Sequence, residues 1–159
     1  MIDKVEVVNN FLSKDEIDIL MKECLDKNTQ WRYRDTLVKV HVANSNSHDT
    51  IKSIKSRIDS FFNNQFYVQI IRHLNKTTKE TTWHRHYDAE SGNGTEYGVI
   101  LYLNDNFDGG ELVYPNLNYT YTPKAGDMVV HPASETFTHE VNPIISGERY
   151  TLTTFIRKA

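Results

Sequence analysis

The chain has a single cysteine, Cys24, in 159 residues. One thiol closes no internal disulfide, which excludes a disulfide scaffold and fits a reducing compartment. Long apolar runs are also missing. The longest, around Val99 to Leu103, is far too short to span a bilayer. The opening Met1-Ile2-Asp3-Lys4-Val5-Glu6 has no basic region followed by an apolar stretch, so no signal peptide is read there and the expected location is cytoplasmic. Charge of one sign is scarce as well: 18 Lys+Arg stand against 21 Asp+Glu, a net −3, and no five like charges follow one another. That argues against a phosphate-tracking surface, and no nucleic-acid partner is expected. Internal repeats and low-complexity linkers are absent. What is present is enough for one domain over residues 1–159, since a chain of this size buries about 68–70% of its unfolded surface.

The first third reads as mixed α/β. Ser13-Lys14-Asp15-Glu16 is a capping box, with Ser13 as N-cap and Glu16 three residues on. Ile17, Leu20, Met21, Cys24 and Leu25 then recur at helical spacing. A second helix is predicted from Thr50 to Phe62, with Ile51, Ile54, Ile58 and Phe61 as its apolar stripe. Leu37 to Ala43 alternates as a strand does. From Phe66 the helical period disappears. Strands are predicted at Phe66–Leu74, Thr81–Tyr87, Glu96–Leu103, Glu111–Tyr114, Tyr119–Thr122, Met128–His131, Phe137–Val141 and Arg149–Ile156, divided by turns such as Asp108-Gly109-Gly110 and Ser146-Gly147. The fold class expected is mainly β with N-terminal helices (α+β): a jelly roll, or double-stranded β-helix, over 66–159, and a helical support region over 1–65 packed on its outside.

Chemistry concentrates in Trp83-His84-Arg85-His86-Tyr87-Asp88. If this is a strand, His84, His86 and Asp88 share one face, because the side-chain period is two. His84 and Asp88 would lie roughly 13 Å apart along the backbone, too far for one ion, so the pair is either His84 with His86 or His86 with Asp88. The pair His86 and Asp88 is preferred. A carboxylate lowers the charge of a metal site, and the turn at Gly92-Asn93-Gly94 brings that end of the strand to the barrel mouth. A third ligand must come from elsewhere, and His131 and His139 are the candidates. Two histidines and one carboxylate with open positions suit non-haem Fe(II), although zinc or manganese can use similar ligands. His41 and His48 are read as solvated. Glu140 should point to the opposite strand face from His139, so it is not cast as a general base.

In its order of motifs the sequence resembles the prolyl 4-hydroxylase branch of the Fe(II)- and 2-oxoglutarate-dependent dioxygenases. The matching segments are His86-Tyr87-Asp88, Leu101-Tyr102-Leu103-Asn104, Gly109-Gly110-Glu111, Pro123-Lys124-Ala125-Gly126-Asp127, His139-Glu140-Val141 and Gly147-Glu148-Arg149-Tyr150. The stretch Val8 to Glu16 is similar to that family's first strand and helix. The resemblance implies that His86, Asp88 and His139 ligate Fe(II). It implies that Arg149 binds the far carboxylate of 2-oxoglutarate, a role its bidentate fork suits, and that Tyr102 donates to the same carboxylate. Thr151, Thr153 and Phe155 share a face with Arg149, and Thr153 is the preferred pocket residue. The implied cosubstrates are 2-oxoglutarate and O2, with ascorbate as auxiliary reductant.

The departures from the family pattern fall on the pocket wall. Arg72-His73 stands where relatives have Arg-Tyr, so His73 would take over that tyrosine's contact with the cosubstrate. Leu112 replaces a frequent threonine and Phe155 a frequent tryptophan. The function expected is hydroxylation of a peptidyl proline, with the loops Asn75–Glu80 and Ala89–Thr95 as lids over a peptide or protein substrate. The alternative is the same chemistry on a free amino acid or other small molecule. A non-catalytic binding module on a jelly roll is opposed by the intact triad and Arg149. A nucleic-acid demethylase is opposed because Phe155, not a second arginine, lies six residues after Arg149. Oligomeric state is left open by the sequence.

Overall fold

In the computed structural model, which describes residues 2–33, 39–68, 73–90 and 92–158, the capping box opens helix α1 (Lys14–Leu25) as expected. The Ser13 hydroxyl accepts from the Glu16 amide at 3.1 Å, and the Glu16 carboxylate accepts from the Ser13 amide at 2.8 Å. That carboxylate also takes both terminal nitrogens of Arg57 at 2.8 Å each. Arg57 lies on helix α2 (His48–Phe61), which begins two residues before the predicted Thr50. Burial raises the Glu16 pKa, but the hydrogen bonds from Arg57 and Ser13 outweigh it and hold the group below its usual value. One glutamate thus caps the first helix and ties it to the second.

The large sheet is antiparallel throughout. Its order begins with β1 (Glu6–Val8), β10 (Met128–Pro132), β6 (Thr95–Tyr102) and β13 (Arg149–Lys158), and continues through β5 (His73–Thr77), β3 (His41–Asn44) and β2 (Arg32–Tyr33). A further strand, β4 (Phe66–Val68), pairs with the far end of β13. Three strands of this sheet therefore come from the first 65 residues. A smaller sheet joins β11 (Glu140–Val141), β8 (Leu112–Tyr114) and β9 (Tyr119–Tyr121), and β12 (Ile144–Ser146) pairs with β7 (Asp108–Gly109). This is the jelly-roll core.

Strand alternation gives the large sheet two different faces. Leu101 on β6, Met128 and Val130 on β10, and Leu152 and Ile156 on β13 pack against Leu20 and Cys24 of α1 and Ile51, Ile54 and Ile58 of α2. The helices cover the outside of the sheet, as the apolar stripes predicted. On the inner face Tyr102 and Val129 meet Leu112, Tyr114, Tyr121 and Val141 of the smaller sheet. The site lies within this inner layer.

Two predicted strands are corrected, and two more fall partly outside the described residues. Residues 81–85 form no strand, and His86 makes only an isolated bridge to His139. Its partner edge is the segment at His139, which the 3-10 turn Glu135–Phe137 and the two-residue β11 leave long enough for one bridge. The Thr81 hydroxyl is also engaged, accepting from Thr78 N and donating to the Lys39 carbonyl. The strand predicted at Phe137–Val141 shortens to its last two residues because a 3-10 turn, Glu135–Phe137, precedes it. The Thr138 hydroxyl donates to the Glu135 carbonyl at 2.6 Å and holds that turn. The strand predicted at Phe66–Leu74 is described only at its ends, as β4 and the start of β5, and residues 69–72 lie outside the described set. Leu37 and Val38 of the predicted Leu37–Ala43 strand also lie outside it, and β3 begins at His41.

Cys24 is 3% exposed in the helix–sheet core, and burial pushes its thiol up to about 12. The thiolate is the reactive form, so a disulfide-exchange reagent should label Cys24 only at the rate of unfolding. Labelling in native buffer as fast as in denaturant would contradict this packing.

Candidate metal centre

The two imidazoles of the predicted triad are brought together by one pair of backbone hydrogen bonds. His86 N donates to the His139 carbonyl at 3.2 Å, and His139 N donates to the His86 carbonyl at 2.9 Å. Their rings then lie 4.5 Å apart, edge to face. Asp88 follows on a turn whose Ala89 N donates to the Ala133 carbonyl at 3.0 Å. The near-strand geometry needed to aim the ligands is thus supplied by a single bridge.

Proton positions follow from the acceptors nearby. His139 Nδ1 sits 2.9 Å from the Phe137 carbonyl, and His86 Nδ1 sits 3.3 Å from the His84 carbonyl. A carbonyl only accepts, so each Nδ1 carries the proton and each Nε2 presents a lone pair. Asp88 Oδ1 lies 3.7 Å from His86 Nε2 and 3.6 Å from His139 Nε2. Burial raises the Asp88 pKa, but the hydrogen bond to His131 and the surrounding imidazoles hold it below the ordinary range. Burial, with His131 second, pushes His139 down to about 4, which keeps it neutral as a ligand must be. Three acceptor atoms therefore converge within 4.8 Å of one another. An arrangement with no donor among the three suits a divalent cation, and the N2O donor set with open positions suits Fe(II).

The second half of the site is a buried cation. Arg149, 3% exposed, donates to the Thr77 hydroxyl at 3.2 Å and to the Tyr102 hydroxyl at 3.5 Å. Its Nε has no hydrogen-bond partner, and among the described residues no carboxylate lies within 4 Å of it. A buried guanidinium without a counter-anion is costly, and an anion in the cavity would offset that cost. Burial raises the Tyr102 pKa, so its hydroxyl beside Arg149 keeps its proton. One cavity runs from Arg149 past Thr151, Thr153 and Phe155 to His86, Asp88 and His139.

The remaining predicted residues are placed as follows. Thr153 lines the cavity and accepts from Asn75 Nδ2 at 3.1 Å. His73 lies on β5 two residues before Asn75 and does not line the cavity, whereas Asn75 does. Arg72 lies outside the described residues. His84 is exposed, with its ring 6.0 Å from that of His86, and takes no place in the ligand cluster. His41 is half-buried. Glu140 pairs with Arg85 at 3.2 Å. The expected lid Asn75–Glu80 is corrected: Asn75 to Thr77 belong to β5, and only the residues after them turn. Ala89–Thr95 is a turn outside Ser91, which is not among the described residues, and Thr95 begins β6.

Sequence reasoning missed Asn75, Thr77 and Gly98. Gly98 carries a signal only tertiary structure reveals. A Cβ there would stand 2.1 Å from Asp88 Oδ2 and 2.5 Å from His131 Nε2.

Residues 68–157 match the family described as the 2OG-Fe(II) oxygenase superfamily, which is more than half the chain. The chain belongs to that superfamily. A PKHD-type hydroxylase of Prochlorococcus marinus is 25% identical over 90% of this oxygenase and 73% of its own length. Other curated relatives are longer, and the chain spans 47% of one and 30% of another. The viral collagen prolyl hydroxylase of Paramecium bursaria Chlorella virus-1 superposes with a TM-score of 0.80 at 18% identity, over 99% of this chain and 90% of that one. A prolyl hydroxylase of Trichoplax adhaerens, in complex with a peptide of hypoxia inducible factor, gives 0.78 at 19% identity, over 98% and 84%. The fold is shared with both. Among the described residues no helix is long and apolar enough to cross a membrane.

Gly98→Ala should displace the Asp88 carboxylate and weaken Co(II) binding by about tenfold or more, on the scale of lost ligand support. Visible absorption titration of the folded variant measures it. Wild-type affinity in the alanine protein would mean that Asp88 does not need that space.

Proposed function

We propose that this oxygenase hydroxylates a C–H bond of a peptidyl proline, using Fe(II) held by His86, Asp88 and His139, and 2-oxoglutarate anchored by Arg149. The observation that carries the reading is the buried, carboxylate-free Arg149 at one end of a cavity whose other end is the acceptor cluster. A dicarboxylic ketoacid matches both ends: a far carboxylate for the guanidinium, and oxygen donors for the metal.

Bound iron with 2-oxoglutarate and O2 supplies the oxidising chemistry, in which the ketoacid is converted to succinate and CO2 as the substrate gains a hydroxyl. The chain's own residues do the positioning. Arg149 fixes the far carboxylate, and Thr77 fixes Arg149. Tyr102 keeps its phenolic proton in a fully buried position and offers it to the same carboxylate. Leu112, Val141 and Phe155 line the cavity and exclude water from the charged groups, which strengthens each contact. His86 and His139 keep their Nδ1 protons on backbone carbonyls, so their Nε2 atoms stay available.

Peptidyl proline is favoured as substrate because the structures sharing this fold include a collagen prolyl hydroxylase and a prolyl hydroxylase in complex with a peptide. Ascorbate would serve as an auxiliary reductant. Proline-containing peptides should therefore release succinate faster than free proline, with a product 16 mass units heavier by mass spectrometry, a value set by one added oxygen. Turnover confined to free amino acids would replace the peptide reading with the small-molecule one.

Arg149→Leu should weaken 2-oxoglutarate binding by roughly 1.5–3 kcal/mol, the worth of a charge-assisted hydrogen bond to a buried partner. Calorimetry with Mn(II) in the metal site measures it, and Mn(II) affinity itself should hold. Equal cosubstrate affinity in both proteins would place the anchor elsewhere.

A further inference from the structure

His131 lies behind the metal centre and is absent from the ligand cluster, although its position on β10 makes it an equal candidate with His139 by residue type. Its Nε2 is 2.7 Å from Asp88 Oδ2, the oxygen turned away from His86 and His139. Its Nδ1 is 2.7 Å from the Tyr114 hydroxyl. Tyr114 is 0% exposed, His131 1% and the Asp88 side chain 6%. We propose that Tyr114 and His131 form a buried hydrogen-bonded rod that holds Asp88 as a one-oxygen metal ligand, which makes His131 a positioning residue; this rests on the metal-centre reading above.

The proton bookkeeping is closed. An ionised carboxylate only accepts, so His131 Nε2 carries the proton donated to Oδ2. In the neutral ring Nδ1 is then a bare acceptor, and the Tyr114 hydroxyl donates to it. Burial raises the Tyr114 pKa strongly, so the phenol has a proton to give. Each atom of the rod has one partner and one role.

The backbone is arranged for this contact. His131 pairs in register with Gly98 on β6, and the missing side chain of Gly98 is the space in which Oδ2 and Nε2 meet. Tyr114 comes from the facing small sheet, and its ring also touches His139 at 5.7 Å between centroids. The rod therefore spans both sheets and braces the carboxylate from behind.

The consequence concerns coordination number. With Oδ2 engaged, only Oδ1 faces the two Nε2 atoms. Two imidazoles and one carboxylate oxygen would hold the ion and leave positions for a chelating cosubstrate and a further ligand. With Oδ2 released, the carboxylate can rotate and chelate through both oxygens, taking one of those positions.

The test compares wild type with His131→Leu, His131→Gln and Tyr114→Phe. Mn(II) affinity is read by electron paramagnetic resonance, and the ligation mode by the separation of the carboxylate stretches in infrared difference spectra with labelled aspartate. His131→Leu should bind Mn(II) about 10–100-fold more weakly, the usual effect of removing an outer partner of a ligand, and its stretch separation should narrow. His131→Gln, which restores an N–H donor, should recover most of both. Tyr114→Phe keeps the ring and should shift both readouts in the same direction by less, which preserves the test if the leucine protein fails to fold. Wild type that binds no metal would overturn the centre itself. Wild type that binds, with all three variants matching it in affinity and stretch separation, would overturn the rod alone, as would lowered melting temperatures with both metal readouts unchanged.

Discussion

The antiparallel ladder between β6 and β13 runs from Thr151 opposite Tyr102 to Arg157 opposite Thr95, and the two faces of this pair divide the molecule. Leu101, Leu152 and Ile156 face the helices and bury their apolar surface there. Tyr102, Arg149, Thr151 and Thr153 belong to the other face and meet the site. A slip of one residue in this register would exchange the faces, driving a guanidinium into the helix-packed core and turning leucines into the cavity. Burial of the apolar face therefore enforces the placement of the polar one. The same β6 strand carries Gly98, so the ladder that sets the core also sets the gap in which Asp88 is braced.

The site combines two unsatisfied electrostatic halves. One is a cluster of three acceptors without a donor, and the other is a buried guanidinium without an anion. Each is unfavourable alone, because burial strips both of water. On the proposed function a dication and a dicarboxylate would neutralise them together, which would tie the affinity for each to the presence of the other. The protein tolerates this standing cost because two hydrophobic layers surround the site, one between the helices and the large sheet and one between the two sheets.

Much of this was legible in residue order. The capping box at Ser13 and the apolar stripes of both helices act over three or four residues, so their pattern in the chain is the pattern in space. The alternation on Arg149–Ile156 likewise placed Thr151, Thr153 and Phe155 beside Arg149. The strand predicted at Thr81–Tyr87 shows the limit. Its alternation is real, yet strand formation needs a partner edge, and the 3-10 turn before His139 leaves only enough of one for a single bridge. His86 and Asp88 are nevertheless brought together with His139, through one bridge and a turn. The lid predicted at Asn75–Glu80 failed for the opposite reason: polar side chains there point inward, where Asn75 and Thr77 support Thr153 and Arg149.

By itself the sequence determined the elements with local causes, the inner and outer faces of the long strands, and the residue types of the clustered acceptors and of the arginine that shares their cavity. Tertiary structure alone decided which histidine serves which oxygen of Asp88. His131 and His139 are equivalent by chemistry and both lie in the second half of the chain. The bridge to His86 turns His139 toward Oδ1, while the register with Gly98 sets His131 against Oδ2. Hydrogen bonds act over about 3 Å, whereas Asp88 and His131 are 43 residues apart in the chain, so only the folded packing of two sheets could assign them.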